Sequence, residues 1–393
     1  MVVKQKQLSK YIGNELEYVK QVLDSEKPSA TSGSWTQSLE QQFVERFGIN
    51  YAIAHNSGTS GLHTCLRAAG VGPGDEVISP ALTVVMNSFA TLYQGAVPVF
   101  ADIDPDTFNI NPEDLRKRIT PRTKAIMPVS LYGLPPDMDA VMEIAAEHNL
   151  TVIEDNAQCL LGTYKGRLAG TIGHMSMFSF ENSKHIGIGE GGMVISNDEE
   201  LALEVRKNAG IGYKNLTADG GRVKLNEDPF QDPNYKRHDC LGWNYRMTEL
   251  CAAVGVAQME RIDEIVKRHQ QVAQLYTEVI DGCDWLIPQQ VPQGYTNTYW
   301  SYAVKYEGMA ALGVPWKDFY QTYKNMGGDG FYAAWSLPYQ EPALDKLGYG
   351  TQSCPVAEEI QPKLMQFKAN YRDMELAQQK SDALAKTIEF FQG

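Results

Sequence analysis

Between residues 51 and 154, short apolar runs alternate with stretches of helical spacing, and this rhythm restricts the chain more than any other feature. The runs fall at 51–54 (YAIA), 76–79 (EVIS), 97–100 (VPVF), 124–129 (KAIMPV) and 151–154 (TVIE). Helices are predicted between them over 62–69, about 84–94, 112–119 and 137–148, with a turn at Gly72-Pro73-Gly74-Asp75. The runs do not alternate polar with apolar, so both faces of each strand are expected to be covered. That pattern predicts a mostly parallel sheet sheathed by helices. A further helix is expected over 36–47, stopped by Gly48.

After residue 172 the rhythm changes. Two short strands, 175–180 and 193–196, flank a glycine-rich link, and 214–240 is polar enough to predict a long loop. One long helix is expected from Glu249, with Ala252, Val256, Met259, Ile262 and Ile265 on one stripe. The expected division is a large domain over 1–250 and a smaller α+β domain over 251–393. With 393 residues, 43% of them hydrophobic, the chain can build such cores. Lys and Arg number 35 against 48 Asp and Glu, a net charge of −13. That balance argues against polynucleotides and anionic membranes, which need a basic footprint. It leaves room for a small anion held by a few local groups. No apolar run reaches the ~18 residues of a membrane span. Met1–Lys6 lead into a polar pattern rather than a signal core, and the six cysteines are scattered. A cytoplasmic protein with reduced thiols is expected. His238, Cys240 and Cys251 lack ligand spacing, so no metal is expected.

Gly187-Ile188-Gly189-Glu190-Gly191-Gly192 satisfies the dinucleotide pattern GxGxxG. That pattern works only between a strand and a helix N-terminus, and here a strand follows. Three other features combine better. Lys184, in Phe178-Ser179-Phe180-Glu181-Asn182-Ser183-Lys184-His185, ends an apolar strand beside a flexible turn. Burial disfavours the charged amine and frees it for a Schiff base, although a surface lysine is the commoner case. Asp155 ends a buried strand, where a carboxylate suits a pyridinium nitrogen or caps the next helix. Asn56-Ser57-Gly58-Thr59-Ser60-Gly61 joins a strand to a helix, as either a phosphate cup or an ordinary cap. Together they supply the parts that pyridoxal phosphate requires.

The segments NSGTSGLH, GPGDEVISP, GAVPVFADIDPDTFNI, PRTKAIMPVSLYG, VIEDNAQ, SFENSKH, GEGG and GWNYRMTELCAA resemble the DegT/DnrJ/StrS family of sugar aminotransferases from Leu39 to about Arg261. The resemblance implies the three-layer α/β/α fold of type I pyridoxal-phosphate transferases. It assigns Lys184 as the cofactor lysine and proton shuttle, Asp155 to the pyridine nitrogen, and Gln158 to a place near the ring. Thr59, Ser60 and Ser179 would bind the phosphate. Asn244, or else Arg246, would reach it from a neighbouring subunit of a homodimer with shared active sites. Where many relatives carry a ring-stacking aromatic residue, this chain has Val84-Val85-Met86. Asn156 replaces a small residue and His185 an asparagine. The implied reaction passes an amino group from glutamate, leaving 2-oxoglutarate, to a keto-sugar. Gly327–Trp335 (GGDGFYAAW) resembles a branch that aminates C8 of a keto form of 3-deoxy-manno-octulosonate, a lipopolysaccharide sugar. His185, Tyr332 and Trp335 are the candidate substrate contacts. Alternatives are a nucleotide-linked 3- or 4-keto-6-deoxyhexose acceptor, a keto-sugar dehydratase, which Lys184 disfavours, and a non-catalytic regulator on the same fold.

Overall fold

A computed structural model describes residues 9–31, 33–221 and 231–392. The expected loop at 214–240 is therefore described only in part, and the opening Met1–Lys6 lies outside the described residues. Five strands, β1 (Tyr51–His55), β2 (Glu76–Pro80), β3 (Val97–Ala101), β4 (Thr123–Ile126) and β5 (Thr151–Asp155), form the predicted rhythm. Two short strands, β6 (Thr163–Tyr164) and β7 (Arg167–Leu168), precede β8 (Met175–Ser179) and β9 (Gly192–Ser196). The seven-stranded sheet runs β1-β9-β8-β5-β4-β2-β3. Only β9 runs against its neighbours β1 and β8. The glycine cluster thus enters an antiparallel strand, and the dinucleotide pattern has no helix to act through.

The helices are α1 (Glu15–Asp24), α2 (Trp35–Phe47), α3 (Gly58–Ala68), α4 (Met86–Tyr93), α5 (Pro112–Arg118), α6 (Met138–His148) and α7 (Glu199–Ala209). Successive strand residues point to opposite faces, and the cores follow that alternation. Ile153, Met177 and Val194 pack with Leu62, Ala90 and Val205 of α3, α4 and α7. Their neighbours Val152, Phe178 and Ile195 face the other way. Val152 meets Leu115 and Val141 of α5 and α6, while Phe178 and Ile195 meet Leu39 and Phe43 of α2. These are the two helical layers of the expected fold.

The stripe from Glu249 is two helices, not one: α8 (Glu249–Met259) and α9 (Ile262–Ile280). Arg261 leaves helical geometry between them, at φ −120°, and its guanidinium pairs with the buried carboxylate of Glu15. α8 packs against α1 and α2, whereas α9 packs against helix Met374–Gln392. Apolar spacing continues across the break because Val256, Met259, Ile262 and Val266 share one core; farther along α9, Val272, Tyr276 and Ile280 enter a second.

A second, antiparallel sheet combines β10 (Leu286–Pro288), β12 (Ser301–Tyr306), β13 (Tyr332–Ala333) and β14 (Leu364–Lys368), with β11 (Tyr295–Thr296) between β10 and β12 in the chain. β11 instead joins β6 and β7, so this small sheet ties the C-terminal portion to the large one. Among the described residues, no helix is long and apolar enough to cross a membrane.

A buried ion pair fastens the loop after α7. Arg206 contacts both carboxylate oxygens of Glu40, at 3.0 and 3.2 Å, and donates to the Ala52 and Ala218 carbonyls. Glu40 also accepts from the Ala54 amide at 2.9 Å. Arg206→Ala strands the Glu40 charge in the core. It is expected to cost about 3–5 kcal/mol, read as a lowered urea midpoint; an unchanged midpoint contradicts this.

Candidate active site

Strand β5 carries two acidic residues to the C-terminal edge of the sheet, and the pleat sends them apart. Glu154 turns into the scaffold, where the Gly170, Ile172 and Gly173 amides donate to it at 2.6–2.8 Å. Asp155 turns toward the crevice and is 2% exposed. Its Oδ1 accepts from the Ala157 amide at 3.0 Å and its Oδ2 from Asn87 Nδ2 at 3.0 Å. Burial pushes the Asp155 carboxyl above the usual carboxylate range, against those two donors and the pull of Lys184. Asn156, the next residue, bridges Ser130 and Ser176 at 2.6 and 2.8 Å, so its polar side chain is structural.

Lys184 follows β8 on a tight turn in which its amide donates to the Glu181 carbonyl. Its Nζ lies 4.3 Å from the ring centroid of Trp300, and Trp300 Nε1 donates to the Ser183 carbonyl at 3.1 Å. Burial lowers the Lys184 pKa, opposed by the negative charges of Asp155 and Glu181. The same burial that suppresses the ammonium form keeps an amine available for bond formation.

The Asn56–Gly61 segment is a helix N-terminus set against the end of β8. Ser57 caps α3, and Ser57 and Ser60 complete a reciprocal capping box. The Ser60 hydroxyl therefore sits within 2.8 Å of Asn56 Oδ1 and the Ser57 carbonyl, occupied by the cap rather than offered to a ligand. Among the described residues, the Gly58 and Thr59 amides have no acceptor. These amides, with the half-buried Thr59 and the Ser179 hydroxyl, are the groups left for an anion. A side chain at Gly58 would stand 3.1 Å from Ser179 Cβ, and one at Gly192 would stand 2.7 Å from the Ser57 carbonyl. Gly192→Ala should push the cap off the sheet. It is expected to weaken cofactor retention at least several-fold, measured by dialysis and absorbance, and undiminished retention would count against the cup.

Gln158 acts at one remove. Its Oε1 accepts from the Tyr132 amide at 2.7 Å and pins Tyr132 at φ +60°, a left-handed conformation costly for a tyrosine. The Tyr132 ring lies parallel to Trp335 at 6.3 Å, and Trp335 to Trp300 at 5.8 Å. Trp335 thus joins the wall beneath Lys184. Tyr332 does not: it is 76% exposed on edge strand β13. His185 is buried with its Nε2 on the Thr298 carbonyl at 2.9 Å and its ring 4.5 Å from His269. Burial and the neighbouring His269 hold its pKa well below the usual value, so it is a neutral packing group in this arrangement. Asn244 is exposed, its carbonyl 3.4 Å from Asn56 Nδ2, and Arg246 sits half-buried beside it with Nη1 enclosed and no acceptor among the described residues. Both lie on the strand-like segment whose Tyr245 carbonyl accepts from the Asn56 amide at 2.7 Å.

Three contributors had no sequence signal. Asn87 sits one residue past the Val84-Val85-Met86 stretch, on the first turn of α4. Trp300 lies more than a hundred residues from Lys184 in sequence and arrives because the Thr298 amide bonds the Gly133 carbonyl at 3.0 Å. The third is a narrow recess of about 50 Å³ that Lys184 shares with Lys10, Arg261, Arg268 and Arg372. No carboxylate lines it among the described residues.

An amine on an aromatic wall, a buried carboxyl above its usual range, and free helix amides with hydroxyls form the donor set that pyridoxal phosphate needs. These residues fit it. Residues 10–381 match the model of the DegT/DnrJ/EryC1/StrS aminotransferase family. A GDP-perosamine synthase of Caulobacter vibrioides is 40% identical over 295 residues, 75% of this chain and 74% of that one. One from Escherichia coli O157:H7 is 38% identical over 292 residues, covering 74% and 75%. An aminotransferase structure from Psychrobacter cryohalolentis superposes with a TM-score of 0.88 at 28% identity, covering 99% of each chain. The chain belongs to the DegT/DnrJ/EryC1/StrS aminotransferase family and is a pyridoxal-phosphate-dependent sugar aminotransferase.

Proposed function

We propose that this enzyme transfers the amino group of glutamate to a keto-sugar that carries its own carboxylate, the 8-keto form of 3-deoxy-manno-octulosonate. The observation that carries this reading is the cationic recess at Lys184, lined by Lys10, Arg261, Arg268 and Arg372 in a chain of net charge −13. Guanidinium and ammonium groups converging on one recess suit a carboxylate.

When bound, pyridoxal phosphate supplies an electrophilic carbon for the amino group and an electron-withdrawing ring. Lys184 would hold the cofactor through its amine and, once freed, would take the proton from the donor's α-carbon. Asp155, kept in place by Asn87 and the Ala157 amide, would keep a proton on the pyridine nitrogen. The Gly58 and Thr59 amides, Thr59 and Ser179 would hold the phosphate, and the exposed Asn244 supports its completion by Asn244 or Arg246 of a second copy. Trp300 and Trp335 exclude water from the Lys184 side. In the second half-reaction the same groups work in reverse on the keto-sugar.

The relatives named GDP-perosamine synthase favour a second reading, a nucleotide-linked 3- or 4-keto-6-deoxyhexose as acceptor. Gly327–Trp335, on which the octulosonate resemblance rests, serves largely as packing: Asp329 binds Tyr371 at 2.9 Å and Lys380 at 2.8 Å, and Phe331 is core. The recess, not that segment, is therefore the support. A steady-state panel offering both acceptor classes with glutamate decides between them. The proposal expects turnover of the keto-octulosonate; turnover of nucleotide-linked sugars alone refutes it.

A further inference from the structure

Trp300 stands immediately before β12, on a loop fastened at four points. The Thr298 amide bonds the Gly133 carbonyl at 3.0 Å, and the Tyr299 amide bonds Asn297 Oδ1 at 2.7 Å. His185 Nε2 meets the Thr298 carbonyl, and His269 Nδ1 the Tyr299 carbonyl, each at 2.9 Å. Tyr299 is itself left-handed, at φ +48°, a conformation that such bonds must hold in place. Gly133 lets the loop come this close, since a Cβ there would lie 2.5 Å from the Tyr299 nitrogen. The indole is thereby set against the residue before Lys184, through the bond from Trp300 Nε1 to the Ser183 carbonyl, and Trp335 stacks on it at 5.8 Å. Lys184 Nζ lies over this ring, 4.3 Å from its centroid. Among the described residues it has no hydrogen-bond acceptor and no ion-pair partner.

We infer that the face of Trp300 docks the Lys184 ammonium whenever that side chain is free of the cofactor, which makes Trp300 a positioning residue for the transfer. This rests on the proposed role of Lys184 as the cofactor lysine. Tryptophan offers an ammonium the best aromatic face, and 4.3 Å is well inside the ~6 Å reach of that attraction. Burial otherwise disfavours the charge. During turnover the charge must still form there. When Lys184 takes the donor's α-proton, its neutral amine becomes an ammonium, and the C–H bonding pair stays on carbon. An aromatic face holds that ammonium weakly enough to release it for the next half-reaction, whereas a close buried carboxylate partner would be costly to leave. Asp155 of β5 and Glu181 of the preceding turn also favour the ammonium. Lys10, Arg261, Arg268 and Arg372, around the adjoining recess, act against it by their charge, and burial keeps His185 and His269 neutral. All of these are common to the wild type and a Trp300 variant. They set the titration midpoint of Lys184 but not its change when the ring is removed.

The test is trace acetylation of the full-length protein, freed of cofactor, with acetic anhydride over a pH series. Modification at Lys184 is read by peptide mass spectrometry. Trp300→Leu is expected to lower the pH midpoint of Lys184 by about 0.4–1.5 pH units, which raises its acetylation below the midpoint about two- to thirty-fold. Trp300→Phe, which keeps a weaker ring face, should fall between. A ring that merely shut out water would give the opposite sign, because hydrating Lys184 favours its ammonium and raises the midpoint. Should Trp300→Leu fail to fold, biosynthetic replacement of the tryptophans by fluorinated tryptophan keeps the Nε1–H and nearly the same shape. It weakens the ring face, so the midpoint should again fall. An unchanged or raised midpoint in the folded proteins overturns the inference. Borohydride reduction of the cofactor-loaded wild type checks the premise separately. A pyridoxyl adduct on a residue other than Lys184 refutes the proposed role of Lys184, whereas the docking of its ammonium is read on protein without cofactor.

Discussion

Replacing Lys184 with alanine is expected to abolish turnover, by about ten-thousand-fold or more, and to remove the yellow colour of the cofactor-loaded protein. In the proposed mechanism the side chain has two duties, bonding the cofactor and moving the α-proton. His185, next in sequence, is buried against His269 and the Thr298 carbonyl, facing other partners. Lys184→Arg keeps a cation near the Trp300 ring but lacks a free amine, and should be equally inactive. Retained colour and full activity in Lys184→Ala would sink the assignment.

The second large effect is at Asp155. Asp155→Asn preserves shape and the oxygen that accepts from the Ala157 amide or Asn87, but it cannot hold a proton on the pyridine nitrogen. A fall in kcat of about 10²–10³ is expected, the scale of a lost electrostatic group in a water-poor site. Thermal unfolding of the unliganded variant should move little, because burial already disfavours the charged carboxylate there. A variant with wild-type kcat would show that the carboxyl is structural. Asn87 is the companion case. Its amide restrains Asp155 Oδ2, so Asn87→Ala should lower kcat by a smaller factor than Asp155→Asn.

Much of the architecture was legible because buried parallel strands leave uninterrupted apolar runs, and the turns between them carry glycine, proline and aspartate. Where one core continues across a helix break, as from Met259 to Ile262, spacing could not reveal the break at Arg261. Strands of two residues, such as β6, β7 and β11, have too little pattern to announce themselves. The site divides in the same way. Asp155 stood out because it ends β5, where the sheet directs side chains to the crevice, and Lys184 because it follows the apolar β8 beside a glycine-rich link. Ser60 looked like a ligand-binding hydroxyl, yet the capping box competes for it, and a cap and a phosphate cup share one sequence signature. Trp300 gave no signal because tertiary contacts alone bring it to Lys184, through the Gly133–Thr298 bond.

The most direct test of the account is mass spectrometry of the product formed from nitrogen-15 glutamate and the 8-keto form of 3-deoxy-manno-octulosonate. An amino sugar acid carrying the heavy nitrogen in place of the C8 carbonyl oxygen is expected, with release of 2-oxoglutarate. A label that enters only nucleotide-linked keto-sugars, or no sugar at all, contradicts it.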